Sequence, residues 1–550
     1  MTSSFAYLFE AKGIQKYILD SGRLADLIGA SDLLADLCTS QEDDLLAEIL
    51  QAVGNPECKF SRRAGGSFCI HSKDKQVLEQ LRALWRLAVG IRMPGLPFTD
   101  CAPVQAGGEP DELAAAYAAQ PGLRENDAAF LPPTGGPMTA FNPRTGRAAT
   151  GEDRARGGEC VLTDALTGPQ RSWGKELASA EEADRLARAF LPEHGGETYI
   201  FPRHFETQDA NLHNPAFPFG TSSDHRVAVV HADISGLGQV FRAVTAGSNA
   251  ATVRAVASAI ETAIVRAARK AAGAFVLPFS AKPSDPGFEM LFGKDPAPDD
   301  RQVVPARPVV LGGDDITIIV RADLAVALTE ALLKGIEEET ALAFREMLQT
   351  QPGMSLPAQL SACAGVAVVA SGHPFLAAHR MAEDMCGLSK KIAKAGRDRD
   401  FPSCLSFAVI SSTIDESFGD YRSREQMTAD GLALNAKTYL VTGDPVAPSL
   451  ATLRELARAI DQAPGHGKLI SALGRRHEDK AAAELLWQRY RDVLGKDREA
   501  CEGVRTALGR FFEAGSDEES WPELDAALPF LNDALELVDL GGPDFGGGHG

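Results

Sequence analysis

The residues best placed to do chemistry are three aspartates. Asp233 closes the apolar run VAVVHAD, and Asp314 and Asp315 sit together in VVLGGDDITIIV, residues 309–320. Adjacent carboxylates between two β-branched runs repel each other, which is costly unless a positive charge lies between or opposite them. A hard divalent cation, Mg²⁺ or Mn²⁺, relieves that repulsion and favours carboxylate and phosphate oxygens. Two such ions about 4 Å apart activate a ribose hydroxyl and stabilise a departing pyrophosphate, which is the logic of nucleotidyl transfer. Gly312 and Gly313 make the tight turn and leave room for a large ligand against the backbone. The expected metal ligands are Asp233, Asp314 and Asp315, with the backbone carbonyl of Ile234 as a further oxygen. A plain solvated turn is the bland alternative, and the β-branched flanks and the matching position of Asp233 speak against it.

A triphosphate also needs cations. The segment SKKIAKAGRDRD, residues 389–400, offers Lys390, Lys391, Lys394 and Arg397 at the end of a helical pattern. Any one of these could equally be a solvated residue favouring the helix C-terminus. Ser235 and Gly236 follow Asp233 where backbone amides could meet phosphate oxygens. Lys12, Gln15, Lys16, Arg62 and Arg63 are weaker candidates, His231 and His373 read as structural, and Cys101 and Cys363 read as core. No Ser-His-Asp or Cys-His arrangement stands out.

These side chains must be held by elements that recur twice. FEAKGIQKYI (9–18) parallels ADISGLGQVF (232–241), so that Glu10 falls on Asp233 and Gly13 on Gly236. RRAGGSFCI (62–70) parallels VVLGGDDITI, which sets Ser67 and Phe68 on Asp314 and Asp315, and a third match sets Cys101 on Cys363. Three matches in one order point to a duplicated β-α-β-β-α-β unit, the ferredoxin-like arrangement. The predicted class is α+β: a degenerate first palm over 1–120, an irregular connector or small insert over 121–222, and a second palm over 223–414 carrying the Gly-Gly-Asp-Asp turn. A C-terminal helical domain covers 415–540 and a disordered tail 541–550. In such a sheet the first strand lies beside the central hairpin, so the three carboxylates can converge.

Composition sets the remaining bounds. A chain of 550 residues exceeds one core. With 75 acidic against 55 basic residues, its net charge of −20 repels nucleotides except at a local basic patch. Nine scattered cysteines without a CxxC pair suggest free, mostly buried thiols and a cytoplasmic location. No signal peptide and no bilayer-length apolar run is legible.

VVHADISGLGQVF, VVLGGDDITIIV and LSACAGVAVVASGHPFLAAHRMAEDMCGLSKKIAK together resemble the polymerase-like large subunit of type III CRISPR effector complexes. FEAKGIQKYILDSGRLADLIGASDLL resembles that family's first palm-like domain, and the matches span roughly 5–115 and 225–412. The resemblance implies a palm that converts ATP into a cyclic oligoadenylate second messenger in antiviral defence, with Asp314 and Asp315 on Mg²⁺ and Asp233 as third ligand. It also implies that the C-terminal helices pack on other subunits bound to guide RNA and target RNA. Two features depart from the family. No His-Asp dipeptide marks a nuclease domain, and NPRTGRAA lacks metal-spaced cysteines, so neither nuclease nor zinc is expected. The alternatives are a GTP-using GGDEF-like cyclase and a non-catalytic nucleotide-binding scaffold. Ile-Thr after Asp315, where GGDEF-type cyclases usually carry Phe, and the second palm weigh against the former.

Overall fold

The computed structural model describes residues 4–20, 24–38, 44–54, 57–64, 66–106, 115–116, 119, 135–154, 160–179, 185–192, 198–205, 216–220, 224–247, 250–282, 285, 301–312, 315–351, 353–395, 401–410, 417–443, 448–476, 478–512 and 521–541. Gly313, Asp314, Arg397 and residues 542–550 lie outside them.

The second palm is a six-stranded sheet. Its strands run in the order Ala306–Gly312, Asp315–Arg321, Arg226–Ile234, Ala362–Ala370, Cys404–Val409 and Thr438–Leu440. The first four make the ferredoxin-like unit, all antiparallel, with the first strand between the hairpin and the fourth. Cys404–Val409 joins in parallel with Ala362–Ala370, after the crossover helix Phe375–Lys394. The unit therefore closes at residue 370 rather than with the strand at 404, which is an addition. The edge strand Thr438–Leu440 lies inside the stretch read as purely helical, so a boundary at 414/415 would cut the sheet.

Alternation along Arg226–Ile234 sends even-numbered side chains to one face and odd-numbered ones to the other. Ala228, Val230, Ala232 and Ile234 enter a core with the helices Ala250–Phe275 and Ala325–Thr350. His231 and Asp233 face the helix Phe375–Lys394. That helix lies so close that a Cβ on Gly365 would come within 1.9 Å of the Ala382 carbonyl oxygen.

The first palm repeats the plan in a five-stranded sheet. Lys59–Ala64, Ser67–Ser72, Ser4–Ala11 and Phe98–Asp100 follow in order, and Val104–Ala106 also pairs with the first strand. The duplication extends to irregularities. Each hairpin carries a bulge four residues before its turn, at Phe60/Arg62 and at Pro308/Val310. The Lys12 amide donates to the Pro97 carbonyl oxygen at 2.7 Å, and its counterpart Ser235 donates to Ser361 at 2.8 Å. Gly13 (φ 56°) and Gly236 (φ 83°) take the same left-handed backbone.

Register corrects the sequence alignment by one residue at the turn. Glu10 faces Ser67 as Asp233 faces Asp315, so Ser67 corresponds to Asp315 and Gly66 to Asp314. Glu10 likewise faces Thr99 where Asp233 faces Cys363, so Thr99, not Cys101, is the counterpart of Cys363.

The palms clasp each other reciprocally. Ser31 Oγ, on the helix Leu24–Leu37, donates to the Val309 carbonyl in the second palm's bulge. Arg254, on the helix Ala250–Phe275, donates to the Phe60 carbonyl in the first palm's bulge. Ser31 and Arg254 each stand eighteen residues beyond their palm's positive-φ glycine, so the contact is pseudo-two-fold. One buried cluster runs from Tyr7, Phe68 and Trp85 into Val229, Ile319 and Met381, giving the two palms a common core.

The connector is anchored to the first palm. Its helix Thr167–Ser179 packs on Leu24–Leu37, where a Cβ on Gly29 would lie 1.9 Å from the Gln170 carbonyl oxygen. Arg171 donates to both oxygens of buried Asp26, at 3.1 and 3.0 Å. The NPRTGR turn is tied by Asp164, which accepts from Asn142 (2.9 Å), Thr145 (2.6 Å) and the amides of Leu166 (3.0 Å) and Thr167 (3.1 Å). All nine cysteines are free. Six are buried, as expected for most of them, and Cys160 is exposed.

Candidate active site

Asp233 is the penultimate residue of its strand, and Asp315 opens the neighbouring one as its direct partner. Facing antiparallel residues stand about 4.5–5.5 Å apart at Cα, so the two carboxylates share one small space on the same face. Asp314, immediately before Asp315, lies outside the described residues. Among the described residues no group of three or more His, Cys, Asp or Glu is placed to hold a metal ion, and Asp233 and Asp315 provide two of the expected acids. Two facing carboxylates are a donor set that suits a hard oxygen-seeking cation, so the residues present fit Mg²⁺ or Mn²⁺.

Beside them there is room. Gly236 and Gly238 have no heavy atom within 4 Å of where a Cβ would stand. In the first palm the counterpart of Gly236, Gly13, meets only Pro97 Cγ at 3.8 Å from that position. The Ser235 amide is already committed to Ser361, and its hydroxyl lies 3.8 Å from Cys363 Sγ. Of the Ser235–Gly236 pair, Gly236 therefore borders the open space.

The lysines separate sharply. The helix Phe375–Lys394 runs back along the sheet in the direction of Arg226–Ile234, so its C-terminal turns come to rest by Asp233. Lys390, on its sheet-facing side, places Nζ 2.5 Å from Asp233 Oδ2, with the two side chains 30% and 23% exposed. Burial would lower the Lys390 pKa, and the hydrogen bond and charge of Asp233 outweigh it and raise it. Lys391 is exposed, Lys394 lies 5.8 Å from the Phe401 ring, and Arg397 lies outside the described residues. Among its described residues, the expected phosphate cluster thus brings Lys390 to the carboxylates. In the first palm Lys12 pairs with Glu10 at 2.5 Å, and Arg63 with buried Asp44 at 2.8 Å.

Sequence reasoning missed what lies behind Asp233. His231 Nδ1 is 3.4 Å from Thr317 Oγ1, which is 3.5 Å from His379 Nε2, and all three residues are buried. The signal was available: His379 lies eleven residues, three helical turns, before Lys390 on the same helix face. Burial, then the Lys390 charge, pushes His231 down to about 4; burial, then His231, pushes His379 down to about 3. Both are neutral near pH 7, while in the unfolded chain they titrate near 6.5. Their contribution to stability is therefore complete above pH 6.5 and is lost as pH falls toward 4, where the unfolded chain binds more protons. Between pH 7 and 5 the wild type should lose about 2–4 kcal/mol more stability than a His231→Gln, His379→Leu variant. Urea melts at the two pH values measure this, and equal losses in both chains would exclude the pair as the cause.

The fold and site together define an α+β double-palm chain in which the first strand of one palm and its central hairpin carry facing carboxylates. Solved structures similar to it include a Csm1–Csm4 cassette in complex with cA3 (15% identity, 98% of this chain and 70% of that chain, TM-score 0.45). Others are a Csm1–Csm4 cassette with one ATP (14%, 98% and 70%, TM-score 0.45) and Csm1 in T. onnurineus (14%, 98% and 69%, TM-score 0.42). No protein-family model and no curated protein matches the chain. Likeness at this level carries no chemistry with it. Among the described residues no helix is long and apolar enough to cross a membrane.

Proposed function

We propose that the second palm is a Mg²⁺-dependent nucleotidyltransferase that builds a cyclic oligoadenylate from ATP. The observation that carries this reading is the register that sets Asp233 opposite Asp315 beside the open backbone of Gly236. ATP as substrate and a cyclic product come from the motif resemblance; the geometry supports the reaction class. Asp233, Asp315 and, from the sequence, Asp314 and the Ile234 carbonyl would hold the metal, which when bound supplies charge to the reacting phosphate and acidity to the attacking hydroxyl. The chain's own part is positional. The strand pair fixes two carboxylates at one height, Gly236 and Gly238 leave the nucleotide space, and the reciprocal bulge contacts hold the opposite palm across from it.

The first palm carries Ser67 in place of Asp315, so its role in this reading is to hold a partner nucleotide. Assembly with other CRISPR effector subunits and guide RNA belongs to the same proposal.

The test is incubation of the whole chain with Mg²⁺ and each labelled nucleoside triphosphate, with and without target-bound effector complex. Cyclic product from ATP alone is the expected result. Product from GTP would favour a GGDEF-like cyclase, and no product under any condition a scaffold.

A further inference from the structure

We infer that Lys390 is the resting counterion of Asp233, that a divalent cation must displace it to occupy the site, and that the displaced ammonium then serves the phosphates of the incoming nucleotide. The inference rests on the metal reading above. The ion pair occupies Asp233 Oδ2, one of the oxygens a metal would take. A metal on the same carboxylate repels the ammonium, so each weakens the other's hold on Asp233.

Lys390 has few other places to go. Behind it lie the buried thiols of Cys363, Cys386 and Cys404, held protonated by burial, and neutral His231. Those groups offer no anion, so an ammonium leaving Asp233 moves toward the open side bordered by Gly236 and Gly238. A four-carbon stem that is 30% exposed can make that swing, and a polyphosphate entering there would receive it in charge-assisted hydrogen bonds. The first palm shows a contrast. There the strand-end acid Glu10 is neutralised by Lys12, two residues along its own chain, whereas Asp233 draws its cation from a helix behind the sheet. Only the second arrangement gives the cation a separate backbone from which to leave.

A resting state that blocks the site weakens apparent metal affinity by the fraction of molecules in which the site is open. Removing Lys390 should therefore tighten metal binding and loosen nucleotide binding, two effects of opposite sign. The experiment is Mn²⁺ titration followed by electron paramagnetic resonance, on the full chain and on Lys390→Met and Lys390→Gln. Without nucleotide the variants should bind Mn²⁺ about three- to ten-fold more tightly, as loss of a partly exposed competing ion pair implies. With Mn²⁺ saturating, they should bind a non-hydrolysable ATP analogue about ten-fold more weakly.

Mn²⁺ affinity unchanged or weakened in both variants would mean Lys390 merely braces Asp233, and would overturn the inference while leaving the metal site intact. No Mn²⁺ bound by any of the three chains would remove the metal site and the inference together. The wild type provides an independent check through acylation of Lys390, quantified by mass spectrometry. Mg²⁺ should raise its rate several-fold and the added analogue should lower it again. A rate indifferent to Mg²⁺ overturns the displacement.

Discussion

Asp315→Asn is expected to lower the rate of nucleotide turnover by roughly three orders of magnitude, the several kcal/mol that metal charge supplies at a transferring phosphoryl group. It should do so without lowering the melting temperature of the metal-free chain. Asparagine keeps the size and hydrogen-bonding reach of aspartate and removes one of two carboxylates that face each other across adjacent strands. Like charges in that position are destabilising by up to about 1 kcal/mol. Mg²⁺ should raise the melting temperature of the wild type through binding to the native state alone, and much less that of the variant. Three readouts therefore move differently: turnover falls, metal-free stability holds or rises, and the Mg²⁺-induced shift shrinks. An Asp315→Asn chain that unfolds early without metal would mean the carboxylate is a structural acceptor. One that keeps turnover would place the chemistry elsewhere.

The carboxylate pairing was legible because β-strand periodicity is short-range information. Apolar runs of seven to nine residues ending at Asp233 and beginning at Asp315 leave little choice of register once a two-residue turn is assumed. The same reasoning slipped by one residue in the first palm, because RRAGGSFCI offers two glycines and no acid to mark the turn, and only the pairing of Glu10 with Ser67 settles it. Lys390 could be placed near the site by helix spacing. That it ends on Asp233, rather than joining Lys391 and Lys394 in a cluster, depends on which helix face Gly365 draws against the sheet. Such an approach is set by tertiary packing and has no local pattern. The contacts of Ser31 and Arg254 were hidden for the same reason: they reach bulge carbonyls some 190 to 280 residues away. The edge strand Thr438–Leu440 was missed because three residues carry no usable period.

That edge strand also locates the second large effect, since it is where the C-terminal helices are welded to the palm. Asp533, fully buried on the helix Leu524–Leu540, accepts from the Lys437 amide (2.7 Å), Tyr439 OH (2.6 Å) and Asn435 Nδ2 (2.8 Å). Lys437 Nζ, also fully buried, lies 3.2 Å from the same carboxylate and donates to Glu536. Burial lowers the lysine's pKa, and the charges of Glu536 and Asp533 outweigh it and raise it. Lys437 adopts φ 64°, a left-handed conformation that a lysine takes only where its surroundings impose it. Asp533→Ala removes one carboxylate from a buried ammonium and leaves an amide, a phenol and a carboxamide short of an acceptor. The cost should be about 3–5 kcal/mol. Asp533→Asn, which keeps one acceptor oxygen, should cost less. Hydrogen exchange in the full chain is the direct measurement, because detachment of Leu524–Leu540 exposes its amides before the palm sheet opens. Exchange there should accelerate more than a hundred-fold in Asp533→Ala, with Arg226–Ile234 much less affected. If both segments accelerate together, the C-terminal helix is part of the palm's cooperative unit, and the sheet that carries Asp233 and Asp315 depends on it. If neither does, the buried ion pair contributes little and apolar packing by Leu528, Leu531 and Leu537 holds the helix by itself.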